Sequence, residues 1–265
     1  MSLKVVCRGD RSRLPLVLLH GWGFNAGVWD GLTPQLEADY CLYHVALPGF
    51  GGSNDETRID TMASLADRLA DAVESPAIWL GWSLGGTVAA AVAARHPGKV
   101  RGLLTLSTNP CFVHKGDWPG MAPAIFDAFY SGVGSDAAKT LGRFLLLQGQ
   151  GDDAAKAVVR ELKPVLATDA TPAALLAGLD RLAEDHRGYF AELAMPRRYL
   201  FGEGDALVPA EVAASPLLAE RAQLIAAAGH ALPVSARDQV LDALDGLQRE
   251  LQDRLPIKVT AGGDL

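Results

Sequence analysis

"AIWLGWSLGG", residues 77–86, begins as an unbroken apolar run and ends in a serine framed by glycines. The stretch 77–82 has the length and bulk of a buried strand, and "GGTVAAAVAARHP" (85–97) reads as a small-residue helix stopped by Pro97. A chain that passes from strand to helix within about one residue presses the turn residue into strained backbone geometry. Gly81 and Gly85, two before and two after Ser83, remove side chains that would collide there. "GWSLG" (81–85) therefore fits G-x-S-x-G, which holds a serine hydroxyl out at the carboxyl end of a sheet. The pattern alone is common by chance; the strand before it and the helix after it supply the context it requires.

Outward from this point, "LPLVLLH" (14–20), "CLYHVAL" (41–47), "RGLLTLS" (101–107), "RRYLFG" (197–202) and "AQLIAAAG" (222–229) are short, apolar and stopped by Gly, Pro, Ser or His. Such runs predict parallel strands covered by helices on both faces. Helical segments lie between them, among them "TMASLADRLADAVE" (61–74), which Asp60 is placed to cap, and "SARDQVLDALDGLQRELQDRL" (235–255). The alternation predicts a doubly wound α/β domain. It breaks near residue 112. From there to 194 no strand is evident, and "MAPAIFDAFYSG", "DAAKTLGRFLLLQG", "DDAAKAVVRELKPVLA" and "TPAALLAGLDRLAED" read as four successive helices. Because strand and helix alternate again afterwards, 112–194 is expected to be a lid inserted over one end of the sheet. Residues 1–111 and 195–255 then form one discontinuous core, and 256–265 a loose tail.

The 265 residues, 49% of them hydrophobic, suffice for one large core. A formal charge of -7 argues against a nonspecific nucleic-acid binder. Cys7, Cys41 and Cys111 are too few and scattered for a disulfide scaffold or thiolate metal cluster, and read as reduced thiols of a cytoplasmic protein. No basic leader feeds an apolar segment at the start, and no apolar stretch reaches the roughly 18–20 residues that span a bilayer. Neither secretion nor membrane insertion is expected, and a monomer is the expected state.

A serine hydroxyl needs a base. Of the six histidines, His96 suits a helix end, His44 sits inside an apolar strand, and His114 and His186 fall in the lid. His20 ends a strand and is suited to shaping the loop that follows. His230 comes directly after "LIAAAG" and before a helix, the position of a base mounted on a loop above the sheet. The base needs a carboxylate to fix its tautomer. "YLFGEGDALVP" carries Asp205 clear of the preceding strand, with Glu203 as a rival at the strand exit and a plain turn role open to either. Oxyanion donors are expected from the N–H of Leu84 and, through the glycine-flanked "HGWGFN" (20–25), from that of Trp22. Neither G-x-x-x-x-G-K-[ST], G-x-G-x-x-G nor H-E-x-x-H occurs, so no phosphate cradle, cofactor or metal is implied.

Two lid segments carry cations four residues apart, Lys139 with Arg143 and Lys156 with Arg160, so each pair shares a helical face. Side by side they form a patch for an acidic macromolecule or carboxylated substrate, although paired basic residues are commonly only a solvated face. Between them "FLLLQ" (144–148) offers Phe144 and Leu147 to cover an acyl chain and Gln148 as a polar contact.

Through "LVLLHGWGFNAGVWD", "LPGFGGS", "AIWLGWSLGG", "NPCF" with "DWPG", "RFLLLQ" and "AAGHALPVS", the chain resembles the α/β-hydrolase superfamily throughout. Over about 1–255 it is similar to the family of pimeloyl-[acyl-carrier protein] methyl ester esterases of biotin synthesis. The resemblance implies an α/β-hydrolase fold with an inserted helical lid and a catalytic triad of Ser83, Asp205 and His230. It implies substrate contacts at Trp22, Ser83, Leu84, Phe144, Leu145, Leu146, Leu147, Gln148 and His230. It also implies docking of the acidic acyl-carrier protein, bearing a pimeloyl methyl ester, on Lys139, Arg143, Lys156 and Arg160. The family carries arginine at all four docking positions; lysine at two of them keeps the charge without the bidentate fork. Alternatives are a related hydrolase acting on free small esters or a carbon–carbon bond, and a noncatalytic binder on the same fold.

Overall fold

A computed structural model describes residues 3–53 and 61–254. Seven strands, β1 (Val5–Arg8), β2 (Leu14–Leu19), β3 (Tyr40–Val45), β4 (Ala77–Trp82), β5 (Val100–Leu106), β6 (Arg197–Gly202) and β7 (Ala222–Ile225), form one sheet in the order β1-β3-β2-β4-β5-β6-β7. β1 is antiparallel to β3, and every other pairing is parallel, so β2 to β7 all end at the same edge. β4 is buried along its whole length at the centre of the sheet, which is why it reads as a continuous apolar run. β1 is an edge strand whose residues alternate between half-buried and exposed, and it carries too little apolar signal to be read from sequence. β7 is shorter than expected. It stops at Ile225, and the following "AAAG" turns into a loop in which Ala227 has φ 58°.

The helices are α1 (Thr33–Leu36), α2 (Met62–Ala72), α3 (Leu84–Arg95), α4 (Pro123–Ser135), α5 (Ala137–Gly149), α6 (Ala155–Leu162), α7 (Pro172–Ala183), α8 (Leu232–Ser235) and α9 (Arg237–Asp253). α2 buries Met62, Leu65, Ala66, Leu69 and Ala70, a stripe at helical spacing laid against α3. Each fully buried leucine there contributes about 1.5–3 kcal/mol. The expected cap Asp60 lies outside the described residues; Thr61 caps α2, its side chain accepting the Ser64 N–H at 3.2 Å. α3 is buried from Leu84 to Ala93, and its small residues let it lie close on β2, β4 and β5. α9 packs on β5 and β6.

Between β5 and β6 the chain forms the four lid helices α4 to α7. Asp136 caps α5 through the Lys139 N–H, and Thr171 caps α7 through the Ala174 N–H. The lid is tied to the loop after β2 by three hydrogen bonds. Asn25 N–H donates to Val165 O (3.1 Å), Ala167 N–H to Gly23 O (2.9 Å) and Trp22 Nε1–H to Leu175 O (2.8 Å). Cys7 and Cys41, distant in sequence, are free thiols whose sulfurs lie 3.3 Å apart across β1 and β3. No helix among the described residues is long and apolar enough to cross a membrane.

Candidate active site

Ser83 joins β4 to α3 with φ 54° and ψ −119°, a strained conformation for a residue with a side chain, costing about 1–3 kcal/mol. Its neighbours hold it there. Ser83 N–H donates to Leu106 O (2.8 Å), while Ser83 O accepts from Gly86 N–H (2.9 Å) and the Thr108 hydroxyl (3.1 Å). A Cβ on Gly81 would run into the backbone of Gly85 and Gly86, and one on Gly85 would enter the carbonyls of Leu19 and His20. The glycines therefore let strand, turn and helix backbones touch one another.

Asp205 follows β6 and His230 follows β7, at the edge where β4 delivers Ser83. Asp205 Oδ2 lies 2.8 Å from His230 Nδ1, and both side chains are 1% exposed. An ionised carboxylate only accepts, so Nδ1 carries the proton and Nε2 is left as the basic nitrogen. Asp205 Oδ1 accepts from Leu207 N–H (2.8 Å) and Val208 N–H (3.0 Å), so the buried charge faces three donors. Glu203 is exposed, and its N–H donates to Ile225 O, extending the β6–β7 pairing. It stays at the strand exit and takes no part in the pair.

Trp82, directly before Ser83, carries no sequence signal beyond that of a strand residue. Its Nε1–H donates to His230 O at 2.9 Å, and its ring lies 5.7 Å from the imidazole and 5.0 Å from Phe24. One residue thus spaces the histidine loop from the loop after β2. His20 fixes the latter: Nδ1–H donates to Gly21 O (2.8 Å) and Nε2 accepts from Leu47 N–H (3.0 Å). Leu47 N–H only donates and Gly21 O only accepts, so the ring is neutral, and burial pushes its pKa down to about 4. Trp22 is buried two residues further on, edge-to-face with Phe129 and Phe144. Gly178 on α7 has no side chain to obstruct the indole.

Under the lid lies an apolar cavity of about 50 Å³ bounded by Trp22, Met121, Phe129, Phe144, Leu147 and Leu207, among others. Leu207 connects it to the Asp205 loop. Phe144 and Leu147 both line this cavity. Gln148 is fully buried, its Nε2–H donating to Phe144 O (3.2 Å) and its Oε1 without a protein partner among the described residues. Leu145 and Leu146 are not part of this cavity wall. Leu145 is buried within the lid, and Leu146 points outward, 63% exposed. Successive residues on a helix turn by about 100°, so Phe144, Leu147 and Gln148 share a side that Leu145 and Leu146 do not.

On the outer side, Lys139, Arg143, Lys156 and Arg160 are all exposed, and none enters an ion pair among the described residues. α5 and α6 lie against each other and leave a groove of about 360 Å³ lined by Leu146, Gly149, Gln150, Ala155, Lys156 and Val159.

Residues 16–243 match the sequence profile described as "Alpha/beta hydrolase family". A "Pimeloyl-[acyl-carrier protein] methyl ester esterase" of Edwardsiella ictaluri is 41% identical over 237 residues, covering 86% of this chain and 91% of that protein. A protein of the same name from Aeromonas hydrophila is 38% identical over 239 residues, covering 87% and 93%. Among solved structures, a bromoperoxidase from Bacillus anthracis superposes with TM-score 0.82 at 22% identity (93% and 95% covered). An esterase from Exiguobacterium antarcticum superposes with TM-score 0.81 at 20% identity (94% and 95% covered). At these identities the two structures speak for the fold alone. The chain belongs to the alpha/beta hydrolase family, in the group of relatives named pimeloyl-[acyl-carrier protein] methyl ester esterase.

Proposed function

We propose that the protein is a serine carboxylesterase that hydrolyses the methyl ester of pimeloyl-[acyl-carrier protein], releasing methanol and leaving a free carboxylate for biotin synthesis. The observation that carries the chemistry is the buried 2.8 Å contact between His230 Nδ1 and Asp205 Oδ2, on the sheet edge that also presents Ser83. In this reading His230 Nε2 takes the Ser83 proton as the hydroxyl oxygen attacks the ester carbonyl. The N–H groups of Leu84 and Trp22 hold the oxyanion. Leu84 is the first residue of α3, where a backbone N–H has no partner within its own helix. The imidazolium returns its proton to the departing methoxide, and water then hydrolyses the acyl-enzyme by the same path.

The substrate assignment rests on the relatives' name together with two features of the lid. The apolar cavity beside Trp22 and Phe144 suits an acyl chain, and Gln148 is a buried polar residue on the same side of α5 as Phe144 and Leu147. The four exposed cations, without ion-pair partners among the described residues and with Lys156 lining a groove that holds an exposed leucine, suit an acidic carrier. Absence of nucleic acid and membrane partners, a monomeric state and a cytoplasmic site complete the proposal. The test is Ser83→Ala, read by methanol release from pimeloyl-carrier methyl ester and by labelling with a serine-reactive organophosphonate. Turnover falls by roughly 10⁶-fold and labelling disappears. Labelling that persists in this variant removes Ser83 from the mechanism.

A further inference from the structure

The turn between α5 and α6, residues 150–154, reaches both loops that carry the acid and the base. Asp152 is buried, yet no cation pairs with it among the described residues. Its charge is met by backbone donors instead. Oδ2 accepts the N–H of Gly229, the residue directly before His230, at 2.9 Å, and Oδ1 accepts the N–H of Ala154 at 2.7 Å. Next to it, Asp153 N–H donates to the carbonyl of Ala227 (3.0 Å), the left-handed residue of the histidine loop. On the other side, Gly151, at φ 79°, lies backbone to backbone with Gly204. A Cβ on either would enter the other's carbonyl. Gly204 precedes Asp205, and its own N–H donates to Ala228 O (2.9 Å). Acid loop, base loop and lid turn thus close a triangle of direct backbone contacts.

We propose that Asp152 is a positioning residue for the His230 base, and that its turn couples the two basic lid helices to the Asp205 and His230 loops. A buried carboxylate lacking a cationic partner is a costly way to fill space. Here it does what no apolar side chain does, accepting two N–H groups on two oxygens and fixing the residue before His230. Asparagine in its place keeps one acceptor oxygen and alanine keeps none, so the two substitutions grade the contact. The same turn ends the helix bearing Lys139 and Arg143 and begins the one bearing Lys156 and Arg160. That turn therefore connects the outer face to a hydrogen bond one residue from the imidazole.

The inference rests on the triad reading above, and the experiment separates the two. Asp152→Ala, Asp152→Asn, Ser83→Ala and a lid control outside the α5–α6 turn, Asp185→Ala, whose carboxylate pairs with Lys115 and Arg187, are assayed on p-nitrophenyl butyrate, a free ester that needs no carrier. Thermal midpoints are measured on the same samples. Misplacing the base predicts that Asp152→Ala loses roughly tenfold to a hundredfold in kcat with KM within about twofold. Asp152→Asn recovers part of that loss, and Asp185→Ala keeps its kcat. Should Asp152→Ala fail to fold, a fall in kcat for folded Asp152→Asn supports the role and an unchanged kcat overturns it. Wild-type kcat in folded Asp152→Ala, or a loss no larger than its unfolded fraction, also overturns it. Full turnover by Ser83→Ala would instead bring down the triad.

Discussion

The buried corner beneath the lid and the lid's outer face handle charge in opposite ways. In the corner Asp205 and His230 are 1% exposed, and the carboxylate meets two backbone N–H groups besides the imidazole. Outside, Lys139, Arg143, Lys156 and Arg160 stand in solvent without ion-pair partners among the described residues. Low dielectric makes each contact in the corner strong, and makes each group expensive to leave unpaired. Water screens the outer charges, which act only on something that arrives. The corner should therefore fail through single substitutions and the outer face only through several together.

The harshest way to test that contrast is Asp205→Asn, which keeps the shape of the corner and alters only the partner of His230 Nδ1. An amide can present N–H to the ring and select the wrong tautomer, leaving the proton on Nε2. The expected result is a loss of about 10⁴-fold in kcat with KM little changed. A loss below about tenfold would mean that the carboxylate does not set the tautomer, and the corner would lose its claim to be tightly coupled.

Next in size is a pH effect from His20, which holds the loop after β2 and makes no contact with the Asp205–His230 pair among the described residues. Its folded pKa of about 4 lies below the usual 6.5, because burial excludes the charged ring. Between those values the unfolded chain binds a proton that the native ring refuses, so stability rises with pH across the window. The contribution is complete above about pH 6.5 and lost as pH falls toward 4, on the order of 3 kcal/mol. His44 and His186 are shifted downward by burial too, so an acid slope also persists without His20. Urea unfolding of wild type and His20→Gln between pH 7 and 4 should give a shallower slope for the variant. Equal slopes would show that His20 is not held neutral.

Much of the corner was legible because local rules write it into short stretches. A strained turn requires glycines on either side, and a parallel sheet brings loops from distant strands to one edge. Gly81, Ser83, Gly85, Asp205 and His230 can be chosen on that basis. Asp152 could not be. Its partner Gly229 is 77 residues away, and a buried aspartate in a turn looks like any turn aspartate. Trp82 is hidden differently, since its indole contact with His230 O follows from the fold and its neighbours explain it as core. β7 ends at Ile225, short of the apolar run 222–229, because alanines satisfy a strand and a loop equally well. On α5 the run "FLLLQ" has uniform chemistry but not uniform direction, and only the helix places Leu146 outside and Leu147 inside.

The smallest expected effect belongs to the outer face and bears on whether it is a docking surface or merely solvated. Single exposed charges are worth little, about 0–1 kcal/mol for a pair, so one substitution would decide nothing. Reversing Lys139, Arg143, Lys156 and Arg160 together to glutamate changes the sign of a whole patch against an acidic carrier. The expected outcome is about tenfold lower kcat/KM on the carrier-linked methyl ester at low salt, with the loss appearing in association and shrinking as salt rises. Turnover of a free short-chain ester should not change, because the charges face away from the cavity and none of them contacts the corner. If both substrates lose activity equally, the substitutions have disturbed the lid or, through the turn at Asp152, the histidine loop. If neither does, the four cations are only a solvated face, and the carrier must be recognised by something else.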